Sequence, residues 1–291
     1  MASLRDVKTK IGAVKKTKQI TKAMNMVASA KLRNAQSRIE RFKPYAQKFD
    51  EMLGDLAAGA DESVHPLLAK REEKKTVGIV IVTSDRGLCG SFNANIIKAS
   101  LKFAREKQAE GLNVKFYCVG KKGRDAVNKS GFEIVVQYRD IMGHFDFSVA
   151  SKLGNELINA FLEGVVDEVV LCYGEFISVG RQAPVTQVVL PISGTESAEG
   201  TVSTGKDYVY EPSVEGLLAE LLPRFVKVQV YRGMLDTSAS EHAARMTAMD
   251  NATRACDDMI SSLTLLYNKT RQAAITRDLM DIVGGAEALK G

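Results

Sequence analysis

Residues 16–32, KTKQITKAMNMVASAKL, interrupt an apolar register that the chain otherwise keeps from its first turn onward. Before this stretch Leu4, Val7, Ile11 and Val14 recur at spacings of three and four. After it the same phase returns at Ala28 and continues through Leu32, Ala35, Ile39, Phe42, Ala46, Phe49, Leu53 and Leu56. That alternation is the 3.5-residue period of a coiled coil. Inside the stretch the seam positions are Lys18, Thr21 and Asn25, all polar. At about 100° per residue, Ile20, Met24 and Val27 cluster roughly 130° from the seam. The helix therefore keeps apolar residues here but turns them away from its partner helix, which predicts a surface for something outside the pair.

The pattern predicts a first helix over about 3–57, with Ser3 as N-cap, Asp6 completing an approximate capping box, and a kink at Pro44. At about 1.5 Å per residue it is roughly 80 Å long and needs a partner along its length. The matching pattern lies at the other end of the sequence. It runs Leu218, Leu221, Phe225, Val228, Arg232, Leu235, Ala239, His242, Met246, Met249, Thr253, Cys256, Ile260, Leu263 and Tyr267. Pro212 suits the first turn of this helix, Pro223 predicts a kink or restart, and Gly284-Gly285 predicts a stop after Val283.

Between the helices the texture changes. TVGIVIVT (76–83), VKFYCVG (114–120), FEIVVQY (132–138), DEVVLCY (167–173) and PVTQVVLPI (184–192) read as strands. Helices are expected at about 91–110, over KKGRDAVNKSG, and near 148–164. Strands alternating with helices imply a Rossmann-like α/β domain with a mainly parallel sheet. The expected fold is α/β plus a long antiparallel coiled coil. Its parts are an N-terminal shaft helix (1–58), a linker (59–75), the α/β domain (76–192), a linker (193–212) and a C-terminal shaft helix with a protruding tip (213–291).

Several function classes are weak on residue grounds. The 291 residues contain no apolar run near the ~18 of a membrane span and no N-terminal secretory core. Cys89, Cys118, Cys172 and Cys256 form no CxxC pair, and His65, His144 and His242 lack metal-ligand spacing, so no metal and no cofactor are expected. GTVSTGKD (200–207) nearly matches a phosphate loop, but Asp207 replaces the magnesium-holding hydroxyl, and no strand precedes it. SDRGLCGS (84–91) follows a strand, where α/β sheets bind ligands, and Cys89 is a conceivable nucleophile without a recognisable histidine partner. Net charge is +5, with Arg5, Lys8, Lys10, Lys15, Lys16, Lys18, Lys22, Lys31 and Arg33 set against Asp6 alone in the first 33 residues. Such a helix can meet nucleic acid, anionic lipid or an acidic protein surface.

If the helices start level at the α/β domain, paired positions sum to about 270. Lys18, Thr21 and Asn25 then face the neighbourhood of Ala252, Met249 and Arg245, and Ser3 faces Tyr267. The ~18 helical residues beyond, roughly 27 Å, have no partner in the chain yet carry an apolar stripe of Ile275, Leu279 and Ile282. Such a tip belongs inside another protein.

ITKAMNMVASAKL (20–32), TSDRGLCGSFN (83–93), SEHAARMTAMDNAT (240–253) and YNKTRQAAITRDLMDIVGGAEAL (267–289) together resemble the gamma-subunit family of rotary proton-translocating ATP synthases. The resemblance covers the whole chain. It implies a non-catalytic central rotor shaft, one copy per complex, standing in a hexameric head of alpha and beta subunits. The α/β domain would sit beside the epsilon subunit and the c-subunit ring, with membrane contact only through that ring and no nucleic acid. Proton flow would turn ring and shaft and cycle the catalytic beta subunits through ATP synthesis or hydrolysis. By position, the family's shaft contacts fall on Met24 and its neighbours, Arg245, Arg271, Gln272 and Thr276. With the residues read from the wheel and stripe, the expected partner contacts are Ile20, Met24, Val27, Arg245, Arg271, Gln272, Ile275, Thr276, Leu279 and Ile282. The chloroplast-type thiol switch is absent, since no cysteine pair lies between Cys172 and Cys256. No organellar transit segment is visible, so the expected location is peripheral, on the cytoplasmic face of a bacterial inner membrane. Two other classes compete: a basic coiled-coil adaptor for nucleic acid, and an α/β enzyme built on Cys89.

Overall fold

The structure, a computed structural model, describes residues 4–57, 65–69, 71, 73–192 and 214–288. Its elements are α1 (Leu4–Ala57), β1 (Thr76–Val82), α2 (Phe92–Ala109), β2 (Asn113–Val119), α3 (Lys121–Lys129), β3 (Glu133–Tyr138), α4 (Phe147–Leu162), β4 (Glu168–Ser178), β5 (Arg181–Leu190) and α5 (Val214–Ala288). By its contacts the chain divides into two compact units. One holds 29–245; the other holds 1–28 together with 246–291.

The 29–245 unit is built on a five-stranded sheet of order β3-β2-β1-β4-β5. β1 pairs in parallel with β2 and with β4, and β2 pairs in parallel with β3. β1 is central and buried from Val77 to Val82, which is why its sequence is a continuous apolar run instead of an alternation. Its side chains still divide by the two-residue period. Val77, Ile79 and Ile81 join Phe92, Ile96, Phe116 and Cys118 on one face. Val80 and Val82 join Leu153, Leu157 and Phe161 of α4 and Val226, Val230 and Met234 of α5 on the other.

Three expectations change. The last two strands are longer than their apolar cores and form an antiparallel hairpin across Val179-Gly180, with Pro184 on the edge strand β5, where its missing N–H does no harm. The described part of the stretch expected as a polar linker, from His65 onward, is packed. Leu67 and Leu68 enter the core, and Arg71 pairs with Asp167, whose carboxylate also accepts from the Lys75 and Thr76 N–H groups. The stop expected at Gly284-Gly285 and the restart expected as one alternative at Pro223 do not occur: α5 is one helix from Val214 to Ala288. Around Pro223, buried Leu222, Phe225 and Val226 hold the helix by packing, which outweighs local propensity. Beyond the two glycines, Ala286, Glu287 and Ala288 are strong helix formers. Ser3, Pro212 and the 200–207 near-match lie outside the described residues.

Candidate functional site

In the 1–28/246–291 unit, the seam read from the sequence is the protected one. Val7, Thr21 and Ala28 are buried, and Ile11, Val14, Lys18 and Asn25 are half-buried. The polar seam positions are all engaged. The Thr253 hydroxyl donates to the Met249 carbonyl at 2.7 Å and lies 2.8 Å from the Thr21 hydroxyl. Asn25 donates through Nδ2 to the Met246 carbonyl at 2.8 Å. Lys18 forms an ion pair with Asp257. As Asn25, Thr21 and Lys18 descend α1, Met246, Thr253 and Asp257 ascend α5, so the helices are antiparallel. For Asn25, Thr21 and Lys18 in turn, Met246, Thr253 and Asp257 lie within about a turn of the expected Arg245, Met249 and Ala252. The level start assumed for the two helices left the register uncertain by about a turn, and the polar contacts fix it.

Ile20 and Val27 are 59% and 57% exposed and Met24 is half-buried, so two of the three outward residues are clear of the helix pair. On α5, partial protection continues at Tyr267, Thr270 and Ala274 before it ends. Every described residue from Ile275 to Ala288 is exposed. The overhang therefore begins after Ala274, not after Tyr267. Ile275, Leu279 and Ile282 are 56%, 58% and 72% exposed, and Arg271, Gln272 and Thr276 are exposed with them. Sequence reading passed over Met259, Leu265 and Leu266, which are exposed as well. The missed signal was apolar residues off the seam phase.

Arg245 stands elsewhere. It belongs to the 29–245 unit and is mostly buried, pairing with Glu241 at 2.7 Å one turn earlier on α5. Its Nη2 donates to the Gly87 carbonyl at 3.0 Å. Gly87 lies in the loop after β1, where the sheet changes direction: β2 and β3 lie to one side of β1, β4 to the other. Open α/β sheets hold ligands above such a switch point. Here α5 side chains occupy it. Thr237 accepts from the Gly174 N–H, and Ser240 donates to the Gly174 carbonyl. Cys89 is 2% exposed, receives a hydrogen bond from Asn93 at 3.1 Å, and has its pKa raised by burial. That environment suppresses the thiolate and disfavours a nucleophile.

His242, beside Arg245, has its pKa lowered to about 4 by burial first and then by the charges of Arg245 and Lys31. The unfolded imidazole takes its proton near pH 6.5, before the folded one does, so this group weakens the fold as pH falls from about 6.5 to about 4. His242→Gln is expected to remove that part of the acid sensitivity. Melting temperatures of the two proteins between pH 4 and 7 should diverge on acidification, with the variant the less affected. Parallel curves contradict the assignment.

Among the described residues no helix is long and apolar enough to cross a membrane, and no cluster of His, Cys, Asp or Glu could hold a metal ion. The model of the family described as ATP synthase matches residues 3–289. A protein of Nitratidesulfovibrio vulgaris strain Hildenborough named ATP synthase gamma chain is 70% identical over 291 residues, the full length of both. This chain belongs to the ATP synthase gamma family. The gamma chains of Maridesulfovibrio salexigens and Lawsonia intracellularis are 70% and 53% identical, again over the full length of both proteins in each comparison. A chain of the Euglena gracilis mitochondrial ATP synthase shares the fold at a TM-score of 0.70 and 20% identity, covering 98% of this chain and 94% of that one. Gamma-family membership agrees with the quoted motifs, which span both units.

Proposed function

We propose that the chain is the central rotor shaft of an ATP synthase, a non-catalytic subunit. It couples proton flow through the membrane ring to conformational cycling of the catalytic beta subunits. The observation that carries this reading is the full-length match to gamma chains, combined with an α5 end that stays exposed from Ile275 to Ala288 among the described residues. Its partners are the alpha and beta subunits, the epsilon subunit and the c-subunit ring, and its membrane association is peripheral. The finer location is the cytoplasmic face of a bacterial inner membrane. The working division is two shaft helices, 1–58 and 213–291, flanking an α/β domain at 76–192. Ile20, Met24, Val27, Arg271, Gln272, Ile275, Thr276, Leu279 and Ile282 are the residues of the shaft that meet the head.

Two tests apply. The chain alone should not hydrolyse ATP. In a head assembled with alpha and beta subunits, a bead fixed to the α/β domain should turn when ATP is added. A bead that stays still while ATP is consumed overturns the rotor reading. Met24→Lys places a cation among exposed Ile20 and Val27 and should lower proton pumping per ATP hydrolysed, while leaving the melting temperature of the free chain within about 2 °C. A collapse of the free chain instead places Met24 in the core of the helix pair.

A further inference from the structure

Arg245 was expected to contact a partner, yet its guanidinium is turned into its own unit. We infer that Arg245 is a positioning residue: with Glu241 it holds the 84–91 loop in a strained shape that carries Leu88 outward, and it acts on partners only through that loop.

Leu88 has φ +63, in the left-handed region that a residue with a branched side chain rarely enters, and it is 64% exposed. Such a conformation persists only where its surroundings over-determine it. The surroundings here do so from both sides. Ser84 Oγ donates to the Arg86 carbonyl at 2.6 Å, and Asn93 Oδ1 accepts from the Ser84 N–H at 3.1 Å. Cys89, next to Leu88, is buried against Asn93. Those contacts anchor the loop to β1 and α2. From α5, Arg245 Nη2 meets the Gly87 carbonyl, the group immediately before Leu88, while Nη1 is held by buried Glu241. One planar fork therefore spans a carboxylate and a loop carbonyl at once, a task an ammonium cannot copy. A loop fixed this firmly, with an apolar side chain outward, is shaped for contact instead of for its own packing.

The test separates charge from geometry. Arg245→Lys keeps the cation but cannot bridge Glu241 and Gly87; Arg245→Met removes the charge and keeps much of the bulk. Amide hydrogen exchange on the free full-length chain reads the loop directly. Both variants are expected to speed exchange at 87–90 by about tenfold or more, the order set by losing one charge-assisted hydrogen bond. Glu241→Gln, a milder change, should speed it less. In the assembled complex the same variants should lower proton pumping per ATP, and Leu88→Ala should lower it too. Adding Arg245→Met to Leu88→Ala should then lower it little further, because both act through one loop. Unchanged exchange at 87–90 in both Arg245 variants overturns the inference. So does a lysine variant that pumps normally, or additive losses in the double variant. The coupling arm rests on the rotor reading, whereas the exchange arm does not, so failure of one is distinguishable from failure of the other.

Discussion

Replacing Ile275, Leu279 and Ile282 together with serine is expected to shift the melting temperature of the free chain by less than about 2 °C, yet sharply reduce the yield of head complex assembled with alpha and beta subunits. In an ordinary core each truncation costs about 2–5 kcal/mol, with a further penalty for the buried hydroxyl. Here the three side chains are 56%, 58% and 72% exposed, and all of their described neighbours from Thr276 to Ala288 are exposed too. They have little to lose in the free chain. On entering a protein sleeve they leave water, and at about 25 cal/mol per Å² three aliphatic side chains contribute on the order of 3–6 kcal/mol as an upper bound. The rest of the shaft keeps its own contacts, so assembly should weaken without vanishing. A large fall in melting temperature, or an unchanged yield, contradicts the placement of the tip.

Gly120→Ala is expected to be among the most damaging single-methyl additions in the chain, at about 3–5 kcal/mol. Gly120 sits between β2 and α3 at φ +92, and an added Cβ would lie 2.1 Å from the Thr83 carbonyl oxygen. The neighbouring backbone cannot yield cheaply. Gly120 donates to the Tyr138 carbonyl, and the Thr83 hydroxyl accepts from the Gly123 N–H. Gly111 is the control. It too has a positive φ, +85, but nothing lies within 4 Å of its added Cβ. Gly111→Ala should therefore cost only the conformational part, about 1 kcal/mol. Urea unfolding of the two variants measures both. Equal losses contradict the close approach of β1 and the β2–α3 turn.

The sequence alone determined the local periodicities, because each is written in nearest-neighbour spacing. The three-and-four alternation from Val7 to Phe49 marks the protected face of α1, and the apolar run 77–82 marks the central strand β1. Ile20 and Val27 are outward because they lie off that phase, and the wheel places them without a structure. The gamma-family motifs at both ends and the middle were legible for the same reason: they are contiguous. What the spacing could not carry was anything that depends on partners far along the chain. The register of α1 against α5 was set by Thr21 with Thr253 and Asn25 with Met246, pairs more than 200 residues apart. Leu67 and Leu68 sit in a stretch rich in charged residues, and only the packed core turns them inward. Arg245 was assigned to a partner contact by its position in the gamma-family motif SEHAARMTAMDNAT (240–253). Tertiary structure turned it inward, because buried Glu241 and the Gly87 carbonyl offer its guanidinium two acceptors at once. An ionised group with such a pair of acceptors in reach is held there, whatever the pattern of its own helix suggests.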